Sequence, residues 1–78
     1  MEFPVYKIEP NQSCYRGSAL VAAESAASAN EFIDDFIKRD KQNKRDSWSY
    51  DHVTEDDKID YLFSTVTGII DYGIQYCG

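Results

Sequence analysis

Apolar and polar positions alternate early in the chain, where Tyr6 and Ile8 stand against Val5, Lys7 and Glu9. The pattern predicts a strand over residues 3–9, with Pro4 at an early position that strands tolerate and Pro10 ending it. Asn11, Gln12 and Ser13 then form a polar turn, and residues 15–23 return as a second strand, so the two predict a hairpin. Within that second strand Gly17, Ser18, Ala19, Ala22 and Ala23 are small, which leaves room on the sheet for a bulky neighbour.

The period then changes from two to about 3.6. Ala29, Phe32, Ile33, Phe36 and Ile37 recur at helical spacing and form one apolar stripe. Ser25 is the expected N-cap, its hydroxyl accepting an amide proton from the first turn. A rival start lies at Ser28, since Ser28-Ala29-Asn30-Glu31 has the capping-box spacing. Glu24, Glu31, Asp34 and Asp35 towards the start, and Lys38, Arg39 and Lys41 towards the end, complement the helix dipole.

Residues 40–47 are polar and read as the helix tail and a connection. Trp48, Tyr50 and His52 alternate with Ser49, Asp51 and Val53, predicting a short third strand, and residues 54–58 an acidic turn. Residues 59–63 fit either period, with Thr54 or Asp56 as a possible cap for a helix; the short, aromatic-rich run favours a strand. A turn over 65–68 leads to a last strand, in which Ile70, Tyr72, Ile74 and Tyr76 alternate with Asp71, Gly73 and Gln75. Gly68 reads as a turn residue and Gly73 as a bulge or close-packing site. The sum is a single α+β domain over residues 1–78, with one amphipathic helix on a mostly antiparallel sheet of four to five strands in ββαββ order.

The strand ending Leu20-Val21-Ala22-Ala23, Ser25-Ala26 leading into Ala29-Asn30, and the terminal run Gly68-Ile69-Ile70-Asp71-Tyr72-Gly73-Ile74-Gln75-Tyr76 resemble small proteins encoded by bacteria and their mobile elements. The resemblance spans most of the chain. It implies an α+β fold and carries no activity across.

Composition narrows the function classes. The 78 residues are 42% hydrophobic, 28% charged and 14% aromatic, a globular rather than disordered profile. A chain of this length buries only about 60% of the surface its unfolded form exposes, so the core is thin and aromatic rings carry much of it. Fourteen acids against eight bases give a net charge of −6, which disfavours nucleic-acid and anionic-membrane partners. No basic segment followed by an apolar one opens the chain, and no apolar run suits a membrane span, so the expected compartment is the cytoplasm.

Candidate chemistry is sparse. Two cysteines, Cys14 and Cys77, and one histidine, His52, fall short of the four ligands of a structural zinc site. The two thiols are expected reduced, with a disulfide tying the start of the second strand to the last strand as the alternative. Asn11-Gln12-Ser13 matches a glycosylation sequon that has no meaning without a secretory signal. Glu55, Asp56, Asp57 and Asp60 lack the glycine and spacing of a calcium loop and read as a solvated turn. His52, Asp51 and Ser49 do not make a triad, because in a strand His52 faces away from the other two. No phosphate loop is present, the glycines being scattered.

Surfaces remain. Five of the eight bases (Lys38, Arg39, Lys41, Lys44 and Arg45) fall within eight positions, and Trp48 and Tyr50 follow them. Trp, Tyr and Arg dominate interface energetics. The sequence therefore predicts a non-enzymatic protein-interaction or regulatory module, without cofactor or metal, that binds a protein partner or itself. Arg39, Lys41, Lys44, Arg45, Trp48 and Tyr50 form its expected contact surface. Two alternatives stand beside it: an accessory domain or subunit of an enzyme, lending His52 or a thiol to a shared site, and an acidic phosphate mimic. The latter needs its acids on one face, and the basic cluster argues against it.

Overall fold

The computed structural model describes residues 1–43 and 48–76, with side chains described through residue 39 and again from residue 48. Strands β1 (Phe3–Ile8), β2 (Tyr15–Arg16) and β3 (Ala19–Ala22) precede helix α1 (Ala26–Asn43). A short 3₁₀ turn (Glu55–Asp57), β4 (Lys58–Ser64), β5 (Gly68–Tyr72) and β6 (Gln75–Tyr76) follow. β4-β1-β3-β5 form one antiparallel sheet, and β2 and β6 a separate two-stranded one. The fold is α+β, and the main sheet and helix have the ββαββ order.

The hairpin expected of the first strands forms between β1 and β3, with Val5 opposite Ala22 and Ile8 opposite Ala19. The segment 15–23 is not one strand: it breaks at Gly17 and Ser18, so that β2 leaves the sheet and pairs with β6. The last strand breaks likewise between Tyr72 and Gln75. Its side chains do not share one buried face. Ile74 is buried, whereas Ile70, Tyr72 and Tyr76 are exposed; a register shift where β5 meets β3 leaves Ile70 without an opposing residue, and Tyr76 lies on β6 of the other sheet. Residues 59–63 are strand, within β4.

Helix α1 starts where Ser25 predicts. The Ser28 amide donates to Ser25 Oγ (3.3 Å), and the Ala29 amide donates to the Ser25 carbonyl (3.0 Å). The rival start at Ser28 is therefore not used. Ala26, Ala29 and Ile33 pack on Ala19, Val21 and Ala23, the small floor legible in the sequence, and Phe36 meets the Tyr72 ring at 4.8 Å. Ala22 belongs instead to the opposite sheet face, opposite Val5.

Residues 48–53 differ from expectation. They form no strand; a single bridge joins Tyr50 to Pro10. Proline has no amide proton, so a ladder cannot extend through that rung. Side chains satisfy the backbone instead. The Asn30 amide donates to the Val53 carbonyl (3.0 Å) and its oxygen accepts from the Val53 amide (2.9 Å), while the Ser49 amide donates to Gln12 Oε1 (3.3 Å). Trp48, Tyr50 and Val53 thus join Tyr6, Ile8 and Ile33 in one core cluster. The helix lies over β3 and β5, and these residues complete the cover of the same face.

The opposite face is partly buried as well. Only residues 65–67 join β4 to β5, the two outer strands. In a flat sheet these strands lie roughly 14 Å apart. Ser64 stands opposite Phe3 and Gly68 opposite Ala22, so the ends are also offset by two residues, roughly 7 Å along the strands. The resulting separation of about 16 Å exceeds the about 15 Å that four Cα–Cα steps can reach. The link does not even run straight, since Ser64 Oγ donates to the Val66 carbonyl at 2.8 Å. The outer strands therefore approach more closely than a flat sheet allows, and the face away from the helix is buried at its centre. Val5 and Ala22 are fully buried there, apart from the main core, between half-buried Phe3, Leu20 and Ile59.

Candidate functional site

Two of the six residues expected on the contact surface are buried instead. Trp48 and Tyr50 are 4% and 8% exposed and belong to the core. Burial of a large ring in a thin core outweighs its use on a surface. The Trp48 Nε1–H donates to the Tyr72 hydroxyl (3.2 Å), and the Tyr50 hydroxyl donates to Asp34 Oδ1 at 2.7 Å with the Asn30 carbonyl at 3.1 Å. Burial, and then the Asp34 carboxylate, push the Tyr50 hydroxyl well above its ordinary pKa. Arg39 is exposed on α1. The side chain of Lys41, and Lys44 and Arg45 altogether, lie outside the described residues.

The acids around the helix start are rearranged as well. The first turn of α1 holds no acidic residue of its own. Glu55 supplies the charge from 29 positions away, accepting from the Ala26 amide (2.7 Å) and the Tyr6 hydroxyl (2.9 Å). Those hydrogen bonds, the Ala26 amide first, hold the Glu55 carboxyl below its ordinary 4.5. Burial, and then the same contact with Glu55, push the Tyr6 hydroxyl up to about 12. Thr54 caps the acidic turn through the Asp56 and Asp57 contacts of a capping box. The expected solvated turn is thus a built element with one outward-reaching acid.

An open cleft of about 280 Å³ lies beside it, lined among others by Lys7, Asn11, Asp51, His52 and Asp57. Its charged groups are engaged with one another and with their surroundings. Lys7 pairs with Glu9 (3.8 Å), His52 Nε2 lies 3.6 Å from Asp34 Oδ2, and Asn11 donates to Asp51 (3.1 Å). The Asp57 carboxylate accepts from the Thr54 amide at 2.8 Å. Among the described residues, no three His, Cys, Asp or Glu side chains group closely enough to hold a metal ion. His52 is exposed beside the Tyr50 ring and has no hydroxyl or thiol of the described residues as a hydrogen-bond partner among its contacts above.

The apolar surface is concentrated elsewhere. Of the eight large hydrophobic residues exposed among the described residues, six lie between positions 61 and 76. Tyr61, Val66 and Phe63 are 88%, 61% and 52% exposed, and Ile70, Tyr72 and Tyr76 accompany them. β4, β5 and the link between them present all of these but Tyr76, which lies on β6 of the small sheet. Asp60 and Asp71 are exposed on the same strands. The sequence signals this ribbon only as an aromatic surplus, without saying which rings are left outside.

No protein-family model, curated protein or solved structure matches the chain.

Proposed function

We propose that this chain is a non-enzymatic protein-interaction or regulatory module whose contact surface is the apolar ribbon of β4, the 65–67 link and β5. The observation that supports this reading is the exposure of Tyr61, Phe63 and Ile70 on the edge strands and of Val66 on the link between them. Contiguous apolar surface is costly to leave in water and marks contact sites, and open strand edges offer unpaired backbone to a partner. Acids on the same strands favour a partner carrying bases beside apolar side chains.

The test is a photo-reactive amino acid placed at Tyr61 or Val66 in cells that make the protein. A discrete adduct is expected, and it disappears with Phe63→Asp, while the same label at Glu24 gives none. Adducts that persist with Phe63→Asp, or that form equally from Glu24, overturn the proposal. Loss on reversing Lys41 and Lys44, with Phe63→Asp silent, would move the contact to the basic end of the helix.

A further inference from the structure

We infer that residues 60–62 form a looped-out knob by which the apolar ribbon recognises a different protein. Tyr61 enters an apolar pocket of that partner, and Asp60 meets a base at the pocket's rim. The inference rests on the ribbon being the contact surface. β1 and β4 pair in two runs: Phe3 stands opposite Ser64 and Pro4 opposite Phe63, then Val5 opposite Ile59 and Tyr6 opposite Lys58. The single step from Pro4 to Val5 thus spans the whole stretch from Phe63 to Ile59, leaving Asp60, Tyr61 and Leu62 without opposing residues on β1. Tyr61, in the middle of this excursion, is 88% exposed. Asp60 before it is exposed too, and Leu62 after it is half-buried.

The fold itself gives no cause for the excursion. Pro4, beside the shift, lacks an amide proton, but its carbonyl accepts from the Ala23 amide (3.1 Å) just past β3. A strand residue aims its amide and carbonyl to the same side, so the missing donor faces β3 and takes nothing from β4. None of the three looped-out residues belongs to the core cluster. Without them, Ile59 and Phe63 would be neighbours opposite Val5 and Pro4, in one continuous register. Bulges re-aim side chains and recur beside functional sites.

The excursion also narrows the means of contact. It interrupts the β4 edge as the shift at Ile70 interrupts that of β5, so neither offers a long unbroken ladder and side chains carry the recognition. An exposed tyrosine, with an apolar ring and a polar tip, is a residue type that anchors interfaces by filling a pocket. Asp60, in a chain of net charge −6, selects a pocket edged by a base. A second copy of this chain fits poorly. The cleft beside the acidic turn carries Glu9, Asp51 and Asp57, and its bases Lys7 and His52 already face Glu9 and Asp34. A smaller cleft on α1 carries Glu31 and Asp35. Either would set acids against Asp60.

The experiment places a photo-reactive amino acid at Val66 of the full chain, in cells that make it. The wild-type background is compared with deletion of residues 60–62, with Tyr61→Ala and with Asp60→Lys. The deletion should keep cooperative unfolding in denaturant, since Ser64 retains its place opposite Phe3, and should lose the adduct. Tyr61→Ala should lower the adduct yield at least about tenfold, and Asp60→Lys about threefold or more. If the deletion loses its folded state, the two point variants, both at exposed positions, decide alone. An adduct that persists in the folded deletion chain or in Tyr61→Ala overturns the inference and leaves the ribbon as the contact surface. Absence of any adduct on the wild-type background removes the ribbon itself as the surface, and the inference with it. An adduct of twice the chain's mass makes the partner a second copy and likewise overturns the inference.

Discussion

Glu55 ties three parts of the molecule together through one carboxylate: the first amide of α1, the Tyr6 hydroxyl on β1, and its own 3₁₀ turn. Both hydrogen bonds are accepted by the ionised form, so its pKa in the folded chain lies below the ordinary 4.5. The stability it contributes is present above that ordinary value and is lost as the pH falls through the lower folded one. Tyr6 behaves in the opposite sense. Its hydroxyl is raised from 10.0 to about 12, so its contribution is complete below 10 and disappears as the pH climbs through the folded value. The melting temperature of the wild-type chain should therefore fall on both limbs. Glu55→Gln should flatten the acid limb and Tyr6→Phe the alkaline one. Profiles of variant and wild type that stay parallel from pH 3 to 7 would remove Glu55 from this role. Nothing local in the sequence points to Glu55. The expected cap, Ser25, was legible because its partner lies three residues away; the carboxylate that completes the helix start is brought by the chain's return.

At the scale of elements, the helix was legible and the strands only partly so. Capping and the stripe from Ala29 to Ile37 are local signals that agree with one another. The break of the 15–23 segment is not local, because it depends on β6 arriving to pair with β2. Gly17 is where the two meet. Its φ of 97° lies in the left-handed region, and a Cβ there would run into the Gly73 carbonyl oxygen. Gly68 has a similar φ of 111° with open space around it. Gly68→Ala should thus cost only the conformational strain, about 1–2 kcal/mol. Gly17→Ala should cost at least about 1 kcal/mol more, since backbone has to move and the Gly73–Ser18 hydrogen bond is put at risk. For a domain of this size that difference lowers the melting temperature by a further ~4–8 °C. Equal losses from the two substitutions would show that the close approach is relaxed at no cost.

For the whole molecule, the decisive question is which aromatic rings form the core and which remain outside. Alternation could not answer it. Trp48 and Tyr50 resemble Tyr61 and Phe63 in type and in strand-like spacing, yet the first pair is buried and the second exposed. The difference arises from the sheet face that the helix covers. Residues 48–53 are drawn onto it by Asn30, Asn11 and Gln12, whereas β4 sits at an edge beyond the helix. Stability measurements separate the two roles. Trp48→Ala should cost about 3–5 kcal/mol, comparable with the whole stability of a chain this small. It removes a buried ring and the hydrogen bond to Tyr72. Tyr61→Ser and Phe63→Ser, alone or together, should change stability by no more than about 0.5 kcal/mol each, as exposed positions do. Denaturant unfolding reads both. A large loss at Tyr61 or Phe63 would mean that these rings hold the fold together, and the apolar ribbon would then lose its standing as a surface kept for a partner. A silent pair, with Trp48 intolerant, leaves apolar surface that folding does not require, and contact with another protein becomes the physical reason to keep it.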